Sequence, residues 1–226
     1  MPNPVTYTAP KPNAVVFFLC PYTASHKKLM WAIKKLTRVG FLVVVYEYPR
    51  EIFTSGDPSQ LFDCIAETEQ SMKKIIKEQS NQGLREFGFV GSSLGAFVGY
   101  NCMARVPELS WGILNTGGNV AEAVLNFDEE RNAFYTKGYN REQMEATWQP
   151  LQYPDLGDLT GKRILLLASK ADKIVSYASA LDCLEHIKAA GADVELVTFQ
   201  RLGHRATVVH NLLRIEKLVA KLRMKT

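Results

Sequence analysis

The sequence predicts an α/β fold: a doubly wound, mostly parallel sheet with helices on both faces. Three observations predict it. Short apolar runs alternate at least five times with longer stretches of helical period. The runs are apolar at successive positions, as in residues 14–20 (Ala-Val-Val-Phe-Phe-Leu-Cys), so both faces of each strand need covering. Finally, 226 residues with 46% hydrophobic and 22% charged side chains suit one globular unit, which excludes disordered, collagen-like and coiled-coil classes.

The first clear strand is 14–20, followed by a helix over 25–39 that stops at Gly40. Residues 41–46 (Phe-Leu-Val-Val-Val-Tyr) form a second two-sided strand. From 58 to 79, Leu61, Ile65, Thr68, Met72 and Ile75 recur at helical spacing. A strand at 86–90 leads into a helix at 94–106, closed by Pro107. Strands at 111–114 and 163–168, a helix at 176–190 ending at Gly191, and a strand at 193–199 continue the alternation. The last helix, 208–221, carries Val208, Leu212, Ile215, Val219 and Leu222 on one face.

Residues 119–160 break the rhythm. They hold two helical patches, no strand, and the aromatics Phe127, Phe134, Tyr135, Tyr139, Trp148 and Tyr153. A connection that long reads as an insertion within the single domain 1–226, lying over one edge of the sheet. The longest early apolar run is far too short for a membrane span, and the first residues lack a secretory pattern, so the expected location is the cytoplasm, with no membrane partner. Cys20, Cys64, Cys102 and Cys183 have no metal or redox spacing and should be reduced and buried. The net charge of +4 owes much to Arg214, Lys217, Lys221, Arg223 and Lys225, which read as a solvated helix face rather than a nucleic-acid site. No glycine-rich phosphate loop follows a strand, so nucleotide binding is not expected.

The chemistry concentrates at Gly91-Ser92-Ser93-Leu94-Gly95, a G-x-S-x-G motif between the strand ending at 90 and the helix beginning at 94. Glycines two before and two after Ser93 keep bulk away from a tight strand-to-helix turn. A serine hydroxyl needs a base, and the base needs an orienting carboxylate. In this sheet type such partners follow strand ends. Asp172 lies four residues beyond the strand ending at 168, and His204 lies in the loop beyond the strand ending at 199. The order Ser93, Asp172, His204 fits the topology. Asp182 sits in a helix and Asp193 at a strand start, the wrong end for the site, and His186 and His210 fall inside helices. His26, in the loop after the first strand, is a candidate for touching substrate.

With these pieces in place (Gly-Ser-Ser-Leu-Gly-Ala at 91–96, Ser-Lys-Ala-Asp-Lys-Ile-Val at 169–175 and Leu-Gly-His at 202–204), the chain resembles a small α/β-hydrolase from about residue 13 onward. The resemblance implies a serine esterase with a Ser93/His204/Asp172 triad, a covalent acyl-enzyme and no cofactor or metal. It also implies that 119–160 is a short cap shaping the substrate pocket, with Tyr135 and Trp148 among its aromatics. The oxyanion hole should draw on the amide of Leu94. Its second donor should come from the loop after the first strand, where this chain has Cys20-Pro21 in place of the family's common His-Gly. Proline has no N–H, so Tyr22 is the aligned donor and Thr23 the fallback. The expected substrate is a small acyl ester or thioester. An acyltransferase with the same triad, or a non-catalytic ligand-binding protein on this scaffold, are the competing readings.

Overall fold

A computed structural model describes residues 4–53, 58–131, 140–148 and 156–223. Seven strands form one sheet: β1 (Val5–Thr8), β2 (Ala14–Leu19), β3 (Phe41–Tyr46), β4 (Phe87–Ser92), β5 (Leu109–Asn115), β6 (Arg163–Ser169) and β7 (Asp193–Phe199). Their order across the sheet is β1-β3-β2-β4-β5-β6-β7. All neighbouring pairs are parallel except β1 with β3. The strand carrying the motif therefore sits centrally.

Alternation along each strand sends side chains to two separate cores. Val15, Phe17 and Leu19 of β2 join the core beneath α2 (Ser59–Asn81), α3 (Leu94–Arg105) and α6 (Tyr177–Ala189). Ala14, Val16 and Phe18 face the opposite core, beneath α1 (His26–Arg38), α7 (His204–Leu212) and α8 (Ile215–Arg223). Two further helices, α4 (Val120–Arg131) and α5 (Arg141–Trp148), lie within the stretch read as an insertion.

Local chemistry explains the boundaries. Ser25 caps α1 by accepting from the Lys27 N–H, and Gly40 takes φ +96° beyond its end. Ser176 caps α6 by accepting from the Ser179 N–H. Two features depart from expectation. β1 carried too short a polar alternation, Val-Thr-Tyr-Thr, to stand out before Pro10, yet it pairs as a half-buried edge. The last helix is broken into α7 and α8, and α7 begins at His204 rather than after it. The Thr207 hydroxyl donates to the Gly203 carbonyl at 3.1 Å, which secures the early start. At the break, the Leu213 carbonyl accepts from Lys35 Nζ at 2.6 Å instead of continuing the helix.

All four cysteines are free and buried. No described helix is long and apolar enough to cross a membrane.

Candidate active site

Ser93 stands between the last residue of β4 and the first of α3, with φ +52° and ψ −119°. An L-residue pays for that conformation in strain, so the surroundings must hold it in place. Its N–H donates to the Asn115 carbonyl at 2.9 Å, and its carbonyl accepts from Ala96 and Phe97. The two motif glycines are sterically required. A Cβ on Gly91 would lie 2.3 Å from the Gly95 carbonyl oxygen, and one on Gly95 would lie 2.1 Å from that of Leu19. The turn is therefore tight because α3 packs directly against β2 and β4.

Two loops bring the other groups to Ser93. Asp172 follows β6, where its Oδ1 accepts from the N–H groups of Ile174 and Val175 at 2.9 and 3.0 Å. Its Oδ2 lies 2.8 Å from His204 Nδ1, and its side chain is only 2% exposed. A carboxylate only accepts, so the ring proton belongs on Nδ1 and Nε2 is left as an acceptor. Nε2 lies 3.0 Å from Ser93 Oγ, which places the hydroxyl as the donor. Asn126 of α4 donates to the Ile174 carbonyl at 3.0 Å and braces the aspartate loop.

No family model matches the chain, and no curated protein matches it in sequence. Solved structures do match. A Pyrococcus furiosus esterase superposes with a TM-score of 0.69 at 16% identity, covering 99% of this chain and 90% of its own. YahD, determined with malic acid, superposes with a TM-score of 0.68 at 15% identity, covering 98% of this chain and all of its own. An acylaminoacyl peptidase of Pyrococcus horikoshii gives a TM-score of 0.70 at 11% identity, covering 96% of this chain but 38% of its own. The chain has the α/β-hydrolase fold.

On this α/β-hydrolase scaffold the loop after β2 is held firmly despite Pro21. The Ala24 N–H donates to the Pro21 carbonyl at 3.0 Å, and Thr23 takes φ +62°. The Tyr22 hydroxyl donates to the Arg50 carbonyl at 2.6 Å. Burial, and then the charge of Glu51, raise the Tyr22 phenol above its ordinary value, so it stays protonated for that bond. The backbone N–H groups of Tyr22 and Leu94 make no hydrogen bond to a described residue. Nearby Cys20 is held as a neutral thiol by burial and then by the charge of Glu47.

His26 makes no hydrogen bond to Ser93, Asp172 or His204. Its backbone N–H and Nδ1 both bond Glu47, the ring nitrogen at 2.5 Å. Burial pushes the Glu47 carboxyl up, but hydrogen bonds from His26 and Ser25 outweigh it, and the net shift is downward. Trp148 is fully buried against Phe53, with ring centroids 5.7 Å apart. Phe53 in turn packs on Tyr22 at 4.8 Å, and Tyr22 on Phe127 at 5.7 Å. Tyr135 lies outside the described residues. Among those residues, no three His, Cys, Asp or Glu side chains gather as metal ligands.

Sequence reasoning missed Asn115 and Asn211. Asn115 Nδ2 donates to Ser92 Oγ and to the Val208 carbonyl at 3.1 and 3.2 Å, and Asn211 Nδ2 donates to Asn115 Oδ1 at 2.8 Å. This buried network ties the turn bearing Ser93 to the helix bearing His204. The available signal was two asparagines inside otherwise apolar segments, where an unpaired amide is costly.

Proposed function

We propose that this protein is a serine hydrolase that cleaves a carboxylic ester or thioester through Ser93, His204 and Asp172. One observation supports the reading above the others. Ser93 Oγ, His204 Nε2, His204 Nδ1 and Asp172 Oδ2 form a continuous hydrogen-bonded line at a strained strand-to-helix turn. His204 takes the Ser93 proton as Oγ attacks the substrate carbonyl, and Asp172 stabilises the imidazolium that forms. Collapse of the tetrahedral adduct breaks the acyl–oxygen or acyl–sulfur bond, and His204 returns the proton to the leaving atom. Water then attacks the acyl-Ser93 ester by the same route, releasing a carboxylic acid and restoring the serine.

The developing oxyanion would be met by the N–H groups of Leu94 and Tyr22. Leu94 opens α3, so the positive end of that helix adds to its donor. Helices α4 and α5 belong to the proposed cap. Phe127 of α4 and Phe53 pack on Tyr22 of the oxyanion loop, with Trp148 buried behind Phe53, and this aromatic surface favours an apolar acyl group. Fluorophosphonate labelling followed by peptide mapping tests the assignment. One adduct on Ser93 is expected, together with a fall in esterase turnover of about 10⁴- to 10⁶-fold in Ser93→Ala. Undiminished turnover in Ser93→Ala would rule it out.

A further inference from the structure

We infer that the site takes substrates whose leaving group carries an anion, a carboxylate or a phosphate, held by Lys170, Lys173, Arg201 and Arg205. The inference deepens the hydrolase reading and rests on it. Its origin is the order of strands. Ser93 follows central β4, the aromatic residues Tyr22 and Phe53 follow β2 and β3 on one side, and the loops after β6 and β7 lie on the other. Those two loops hold the four cations. Lys170 and Lys173 sit in 169–175 and Arg201 and Arg205 in 200–205, all four exposed.

Three contacts bring the two loops together. Ser169 pairs with Phe199 across β6 and β7, the Lys170 N–H donates to the Phe199 carbonyl at 2.9 Å, and Asp172 meets His204. Lys173 and Arg205 are thus the chain neighbours of two residues in direct contact. Asp172 is the one acid in either segment, and its two oxygens are already occupied by Ile174, Val175 and His204. Among the described residues, none of the four cations makes an ion pair. Lys170 Nζ lies 5.7 Å from the centre of the Tyr177 ring, which limits its freedom.

The chemistry fixes which half of the substrate this rim meets. His204 Nε2 must deliver a proton to the leaving atom, so the leaving group departs on the His204 side of Ser93. The loops on that side carry the four cations, which have no ion-pair partner among the described residues, while the acyl half lies toward the aromatic side. Clustered cations near a reaction site raise the encounter rate of anionic ligands by about 10- to 1,000-fold, and salt weakens the effect.

The test uses three phenyl butyrates with para hydroxymethyl, carboxymethyl or phosphonomethyl groups, whose phenols have similar basicity. At low ionic strength the expected kcat/KM for the anionic esters exceeds that of the neutral one by on the order of ten-fold, and added salt narrows the ratio. A preference for the phosphonate over the carboxylate identifies a phosphate-bearing leaving group, and the reverse identifies a carboxylate. In Lys170→Gln/Lys173→Gln and in Arg201→Gln/Arg205→Gln the ratio should move toward one. In Lys34→Gln/Lys217→Gln, on helices α1 and α8, it should stay at the wild-type value. Equal kcat/KM for all three esters, with Ser93 still labelled by fluorophosphonate, overturns this inference and leaves the hydrolase reading standing. Absence of both turnover and labelling overturns both.

Discussion

Replacing Asp172 by Asn separates orientation from charge at this site. The carboxylate occupies a cage of three donors: Oδ1 receives Ile174 and Val175, and Oδ2 faces His204 Nδ1. An asparagine has one oxygen for that cage. Two fixed backbone donors on one side direct the oxygen toward Ile174 and Val175, and the amide nitrogen then faces Nδ1. Two donors cannot meet, so the imidazole must carry its proton on Nε2, and Nε2 loses the lone pair that accepts from Ser93. With the side chain 2% exposed, water offers no remedy. The expected result is a fall of about 10⁴ in kcat with the fold intact. Neutralising the acceptor of two charge-assisted bonds costs about 1–2 kcal/mol by denaturant titration. Asp172→Ala provides the contrast, because it leaves two buried N–H groups unpaired and should cost about 2–5 kcal/mol. An Asp172→Asn enzyme within ten-fold of wild-type kcat would refute the assignment of Asp172 as the orienting acid.

Three other predictions concern the supporting structure. Gly95→Ala should destabilise the fold by about 3 kcal/mol in chemical denaturation, because the new Cβ meets backbone atoms of Leu19 at 2.1 and 2.5 Å. Asn115→Leu should cost about 2–4 kcal/mol by removing the partners of Asn211 and Ser92. It should also lower kcat more than it changes KM, measured with a simple aryl ester. For Glu47, whose carboxyl is lowered below its unfolded value of 4.5, the stabilisation is fully present above that value and lost as pH falls through the lower folded one. Glu47→Gln should therefore melt below wild type at pH 7, and the two melting temperatures should converge as the pH falls through the lowered folded value.

Much of the fold was legible because its signals are local. The strands at 41–46 and 193–199 and the helix at 26–38 are written in runs, caps and terminal glycines that each act within a few residues. The parts that were not legible depend on distant partners. β1 gains strand structure only by pairing with β3, and the break before α8 is stabilised by Lys35, 178 residues away in sequence from Leu213. Trp148 shows the same limit. Its position among aromatics left a pocket wall and an anchor of the insertion equally open, and packing on Phe53 leaves it with no exposed surface and an indole N–H without a partner among the described residues.

The candidate site follows the same division. Ser93 was legible because a tight strand-to-helix turn needs its two glycines in the chain itself. Asp172 and His204 were legible as residues beyond strand ends, but their meeting depends on β6 and β7 being neighbours in the sheet. The strain has a position that only the assembled sheet explains. Among the described residues, the non-glycine residues at positive φ are Thr23, Ser93 and Thr116, and they follow β2, β4 and β5, three strands adjacent in the sheet. Strain of that kind persists only where the surroundings over-determine it. Here the surroundings are shared: the Asn115 carbonyl holds the Ser93 N–H, the Thr116 N–H donates to the Leu167 carbonyl of β6, and Gly95 lies against Leu19 of β2. A disturbance at any one of these strand ends is therefore transmitted to the serine through backbone contacts. This is why changes at Gly95 and Asn115, neither of which needs to touch substrate, are expected to register in turnover.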